Sequence, residues 1–141
     1  MCRIAGIVDF HQPANCLRID AMRDSMTHGG PDDAGSFSDD YWPLAMAVRR
    51  LSLLDLSMAG HQPMMSPGQQ VVIAFNGEVY NFAALRAELQ ALGRQFLSGT
   101  DTEVVLQAYQ QWGTDCFQRF NGMYAVALFD KQHERLLLAR D

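Results

Sequence analysis

No stretch of this chain approaches the ~20 consecutive apolar residues that a membrane-crossing helix requires. The start also lacks a basic segment, an apolar core and a small-residue cleavage site, so it does not read as a secretory leader. Lysine and arginine form no run, and the formal net charge is -5, which argues against nucleic acid or an anionic membrane surface as partner. Cysteine is scarce and odd in number: Cys2, Cys16 and Cys116 show no paired spacing. That pattern predicts free thiols in a reducing compartment, the cytoplasm. The histidines, His11, His28, His61 and His133, form no ligand cluster with them, and no metal site is expected. Charged residues make up only 19% of the 141 residues and hydrophobic ones 48%. This is a soluble globular composition, in a chain able to bury roughly two-thirds of its unfolded surface. With no repeat, low-complexity tract or linker, residues 1–141 read as one domain.

Residues 4–9 are apolar and β-branched, a buried strand in prospect. A weakly amphipathic helix is expected over residues 17–26, stopped by the turn-rich His28-Gly29-Gly30-Pro31-Asp32-Asp33 segment. Residues 44–51 read as a strand, and residues 58–68, punctuated by Gly and Pro, as a long surface loop. A further strand over residues 71–75 is expected to end at Asn76-Gly77, a dipeptide that favours a tight turn. Asn81 is placed to cap a helix carrying Phe82, Leu85, Leu89 and Leu92 on one stripe, with Gly93 just past its end. Thr100 and Glu103 have the spacing of a capping box, opening a second helix that Gly113 would end. Residues 124–129 and 135–139 flank a polar turn and read as a hairpin. Strands, two helices and more strands predict an α+β layered domain.

The most informative residue is Cys2. Cytosolic processing removes an initiator methionine that precedes a small residue, and Cys is small. Without Met1 the chain begins with one residue carrying both a thiol and an α-amine. An α-amine has a pKa of about 7.7–8.0, so a sizeable fraction accepts protons near neutral pH. Nucleophile and base can then share one residue. Alone, Cys2 reads as a small hydrophobe opening a buried strand. Asn76 and Gly77 offer a side-chain amide and an unhindered backbone N–H, donors suited to an oxyanion; alone they are a turn. Arg50, at a strand end, can hold a carboxylate bidentately. Asp101, at a helix start, can pair with an ammonium group, or serve only the helix dipole. Taken together, these groups fit a free α-amino acid with a scissile side-chain amide. Glutamine fits.

The wording of the chain carries a resemblance. It begins M-C-R-I-A-G-I and continues H-G-G-P-D-D-A-G (28–35), R-R-L-S-L-L-D-L-S (49–57), G-H-Q-P-M (60–64) and F-N-G-E-V-Y-N (75–81). S-G-T-D-T-E-V (98–104), N-G-M-Y-A-V-A-L-F-D (121–130) and L-L-L-A-R-D (136–141) follow. In this order the motifs resemble the N-terminal glutaminase domain of class II glutamine amidotransferases, and most closely that of glutamine-hydrolysing asparagine synthetases. The resemblance implies a four-layer αββα N-terminal-nucleophile fold, two stacked antiparallel sheets between helical layers. It also implies that residues 1–141 are an incomplete glutaminase domain, truncated at its C-terminal end.

By the same resemblance Cys2 is the nucleophile, with Asn76 and Gly77 as the oxyanion hole. Arg50 and Leu51 hold the amino-acid end of glutamine with Glu78 and Asp101, the arginine on its carboxylate and the acids on its amine. No cofactor is implied for this chain. ATP and Mg belong to a C-terminal synthetase domain, the implied partner that would use the ammonia, and a homodimer is compatible with the family. Three positions depart from the usual wording: Arg3 stands where Gly is usual, Gly29 where Arg is usual, and Val48 where His is often found. An extra cation or added bulk beside Cys2 is the concern raised by Arg3. Two alternatives stay open: a homologue serving a different acceptor, and an inactive glutaminase-like interaction module.

Overall fold

The computed structural model describes residues 2–11, 16–39 and 41–141. Two antiparallel sheets lie face to face, with helices outside. The first sheet is built from β1 (Arg3–Val8), β2 (Asp33–Ser38) and β3 (Leu44–Arg50) in the order β1-β3-β2. The second holds β4 (Met64–Met65), β5 (Val71–Val79), β6 (Gly122–Asp130) and β7 (Arg135–Arg140) in sequential order. Helix α1 (Cys16–Ser25) covers the first sheet; α2 (Phe82–Ala91) and α3 (Asp101–Trp112) cover the second.

The period-2 alternation of strands assigns each residue to a layer. On β3, Ala45 and Ala47 meet Ile19 of α1, while Leu44 and Met46 meet Val72 and Phe129 across the gap between the sheets. A strand covered on both faces reads as a continuous apolar run, which explains the unbroken burial of residues 44–48. On β5, Val71, Ile73, Phe75 and Val79 point toward the helices and join Leu85, Leu89, Val104, Val105 and Leu106. The αββα layering and antiparallel pairing expected from the sequence are what the chain adopts.

Three local expectations are revised, and one unassigned segment gains structure. Asn76-Gly77 is not a turn: β5 runs on to Val79, with Asn76 opposite Ala125 and Gly77 opposite Tyr124. The reason is close approach. A Cβ on Gly77 would stand 2.5 Å from Tyr124 Cα and 2.7 Å from its Cβ, so only glycine admits this pairing. Asn81 occupies the helix N-cap position without a side-chain cap bond. Its amide spans to the other side, donating to Arg119 O at 2.9 Å and accepting from Asn121 N–H at 3.0 Å. The 58–68 segment is not wholly a surface loop: Gln62 is 3% exposed and Ser66 2%. Finally, residues 33–38, unassigned from sequence, form β2 because the central strand β3 offers them a full ladder.

The capping expectation at α3 holds in half. Thr100 Oγ1 accepts from Glu103 N–H at 3.2 Å. The Glu103 carboxylate, though buried, turns outward to take Leu97 N–H at 2.8 Å and both N–H and hydroxyl of Ser98 at 2.6 Å. At the far end of the sheet, Tyr109 donates to Asp130 at 2.7 Å, and Asp130 also holds His133 at the β6–β7 turn. Truncating Leu106, 1% exposed at the centre of α3, should cost about 2–5 kcal/mol. A urea unfolding curve of Leu106→Ala, with its midpoint well below the wild type's at unchanged slope, checks this.

Candidate active site

The strand ends converge at one edge of the sandwich. The β1–β3 ladder opens with Arg3↔Arg49, which leaves Cys2 just ahead of it, beside the residue that follows β3. Cys2 Sγ accepts from Leu51 N–H at 3.4 Å and lies 3.7 Å from Leu51 O. By alternation Arg3 projects from the α1 face of its strand, and it does not line the pocket beside Cys2. The register therefore places Arg3 beside the pocket rather than within it.

Cys2, Arg50, Leu51, Gly77, Glu78 and Asp101 line a single pocket together with Gln62, Phe75, Thr100 and Thr102. Leu53 and Leu54 also line it, 62% and 45% exposed. Asn76 stands apart from this group. It lines a neighbouring cleft with Tyr124, Ala125 and Asp141, and its buried Oδ1 has no hydrogen-bond partner among the described residues. Removal of Met1, expected from the sequence, concerns a residue outside those described.

Arg50 is 6% exposed. Its guanidinium donates to the Asp55 carbonyl. The Asp55 carboxylate in turn accepts from Gly99 N–H at 2.7 Å and Ser57 N–H at 2.9 Å. The loop after β3 is thereby tied to the loop before α3. Those donors, Gly99 N–H foremost, hold the Asp55 carboxyl down at about 2.

On the opposite wall, β4 pairs only with Ile73 and Val72, so the rest of that flank of β5 needs other acceptors. Gln62 Oε1 takes Phe75 N–H at 2.7 Å, its amide donating to Thr102 Oγ1 at 3.2 Å, and Asp101 takes Val79 N–H at 3.0 Å. Burial pushes the Asp101 carboxyl above its ordinary value, against the pull of Val79 N–H and Thr102 N–H. Glu78 is also raised, by burial first and then by the charge of Asp101. For both, the folded pKa exceeds the unfolded one. Their contribution to stability is thus fully present below the unfolded pKa and lost as pH rises through the folded one. A bound cation relieves that repulsion.

The pocket is thus bipolar, with a guanidinium on one wall, two carboxylates on the other and a thiol between the strand ends. Gln62, Thr100 and Thr102 were not named as site residues from sequence, although Gln62 sits in the quoted G-H-Q-P-M motif and the threonines in S-G-T-D-T-E-V.

The fold is a β-sandwich between helical layers. Glutamine phosphoribosylpyrophosphate amidotransferase from Bacillus subtilis shares it: the two superpose over 100% of this chain and 37% of that one, with a TM-score of 0.76 at 16% identity. The chain belongs to the glutamine amidotransferase domain family, whose model matches residues 1–141. Within it, this chain is 40% identical over its full length to asparagine synthetase B (glutamine-hydrolysing) of Escherichia coli. It is 37% identical to asparagine synthetase (glutamine-hydrolysing) 3 of B. subtilis and 34% to putative asparagine synthetase (glutamine-hydrolysing) 2 of Methanocaldococcus jannaschii. The likeness to asparagine synthetases read from the motifs is borne out. The chain spans 25%, 23% and 30% of those three relatives. None of the helices is long and apolar enough to cross a membrane, among the described residues.

The Asp55 tie gives a pH-dependent prediction. Its folded pKa lies below the usual 3.8, so its stabilisation is present above that value and lost as pH falls toward about 2. Asp55→Asn should therefore unfold at lower urea than wild type at neutral pH, and the gap should close across that acidic window.

Proposed function

We propose that this domain hydrolyses the side-chain amide of glutamine through a thioester on Cys2. The observation that carries the reading is the bipolar pocket around the thiol, since a free amino acid presents a carboxylate and an ammonium at one end. Arg50 takes the carboxylate as a planar fork. Glu78 and Asp101 take the ammonium, and the cation lowers the cost of holding two carboxylates together. The side-chain amide then reaches back toward Cys2.

Once Met1 is removed, the Cys2 α-amine accepts the thiol proton as Sγ bonds to the amide carbon. The carbonyl oxygen becomes an oxyanion, with Gly77 N–H and the Asn76 amide as its donors. Gly77 lines the pocket with Cys2, whereas the role of Asn76 rests on the family resemblance, since its side chain lines the neighbouring cleft. The intermediate collapses as the amine passes its proton to the departing nitrogen, releasing ammonia and leaving a γ-glutamyl thioester. Water, deprotonated by the same amine, attacks the thioester carbon; the C–S bond breaks, the thiol is restored and glutamate leaves.

On this reading the ammonia serves a C-terminal synthetase domain that makes asparagine from aspartate with ATP and Mg, while the glutaminase domain itself needs no cofactor. The work is cytoplasmic, and a homodimer is compatible with it. A different acceptor for the ammonia is the rival within the class. A module without turnover is the rival outside it, motivated by Arg3 and Gly29.

The test is glutamate release from glutamine by the full-length protein, with loss of Met1 checked by intact mass. Cys2→Ala should abolish release. Asn76→Ala should lower kcat by about 10²–10³-fold, the loss typical of one oxyanion donor. Glutamine affinity should weaken as the pH is lowered into the raised titration range of Glu78 and Asp101, because protonation removes the charges that face the ammonium. Absence of release from a folded, Met1-free protein would sink the reading in favour of the interaction module.

A further inference from the structure

Chain ends fray unless they are tied down, and Cys2 precedes the first pair of its ladder. Besides the Leu51 contacts of its thiol, its main-chain carbonyl accepts from Arg3 Nη1 at 3.0 Å. The Arg3 stem meanwhile lies over Gly29, in the 3-10 turn Thr27–Gly29 that follows α1. A Cβ at position 29 would stand 2.6 Å from Arg3 Cγ, 2.7 Å from Nε and 2.9 Å from Cζ. Cγ belongs to the base of the side chain, so a swing of the guanidinium tip alone would not clear it. The bare position 29 and the path of the Arg3 side chain are therefore one arrangement, ending at the Cys2 carbonyl.

We propose that Arg3 is a positioning residue for Cys2, seated by the absence of a side chain at Gly29. The pair lies behind the nucleophile, outside the pocket, and fixes the main chain from which the thiol projects. The consequence for turnover rests on the glutaminase reading above; the consequence for the thiol's placement does not. A group that touches no substrate and only aims the nucleophile acts on kcat and leaves KM for glutamine unchanged.

The full-length, Met1-free protein supplies the test. Arg3→Met keeps the stem and removes the donor; Gly29→Ala keeps the donor and displaces the stem. Each should lower kcat roughly tenfold, the scale of one charge-assisted hydrogen bond, with KM unchanged. The double variant should be no slower than the slower single, since both changes break the same bond. Iodoacetamide should label Cys2 faster in each variant, as the thiol leaves the Leu51 main chain, while exposed Cys16 labels at its wild-type rate. Should Gly29→Ala not fold, Arg3→Met carries the test alone.

Wild-type kcat in Arg3→Met, or losses that multiply in the double variant, overturns the proposal and leaves the glutaminase reading standing if Cys2→Ala is inactive. Failure of the wild type to release glutamate overturns that reading instead. The Cys2 labelling rate then decides the role of Arg3, and an unchanged rate in Arg3→Met overturns it.

Discussion

The pairing of β1 with β3 is the constraint on which the pocket depends. Antiparallel register is strongly specified wherever each face has its own covering layer, because a slip of one residue turns every side chain to the wrong side. Here Ala5 and Ile7 must meet α1 together with Ala45 and Ala47, while Leu44 and Met46 must meet the second sheet. Those demands fix Arg3 opposite Arg49. With that pair fixed, Cys2 has one place to go, against Leu51, and Arg50 projects inward from the end of the same strand. The apolar core of the sandwich thereby sets the position of a thiol and a cation that take no part in it.

The second sheet contributes through a shortage. Because β4 is only two residues long, one flank of β5 lacks a strand to pair with, and a buried N–H left without an acceptor is costly. Gln62 and Asp101 fill that need. The same groups face the pocket, so its polar wall follows from repairing the edge of a sheet. The price is electrostatic: Asp101 is buried, raised in pKa, and raises Glu78 beside it. Two acids held near each other beside the same pocket are prepared for a positively charged ligand.

The layers, the two later helices and the hairpin were legible in the sequence because their periodicity and end signals agree. Where local signals misled, tertiary pairing had overruled them. Asn-Gly is a turn signal by its backbone preference, yet at Gly77 the missing Cβ serves the approach of Tyr124 in the middle of a ladder. Asp33–Ser38 has little intrinsic strand character and becomes β2 because β3 offers an edge. The Gly/Pro-punctuated segment around Gln62 looks solvent-exposed by composition, and its burial becomes apparent only once the brevity of β4 is known. Among the candidate site residues named from the motifs, Cys2, Arg50, Leu51, Gly77, Glu78 and Asp101 line one pocket. Asn76 faces a different cleft, and strand alternation could not indicate which of two adjoining hollows an inward residue would line. The meeting of Arg3 with Gly29 joins positions far apart in the chain, so each looked like an isolated departure.

In most domains the termini are where additions are best tolerated. Here the first strand begins inside the sandwich edge, with Cys2 already against Leu51. A peptide fused ahead of Cys2 would turn its α-amine into an amide without basicity. On the glutaminase reading, an affinity handle at that end would remove the base from the reaction.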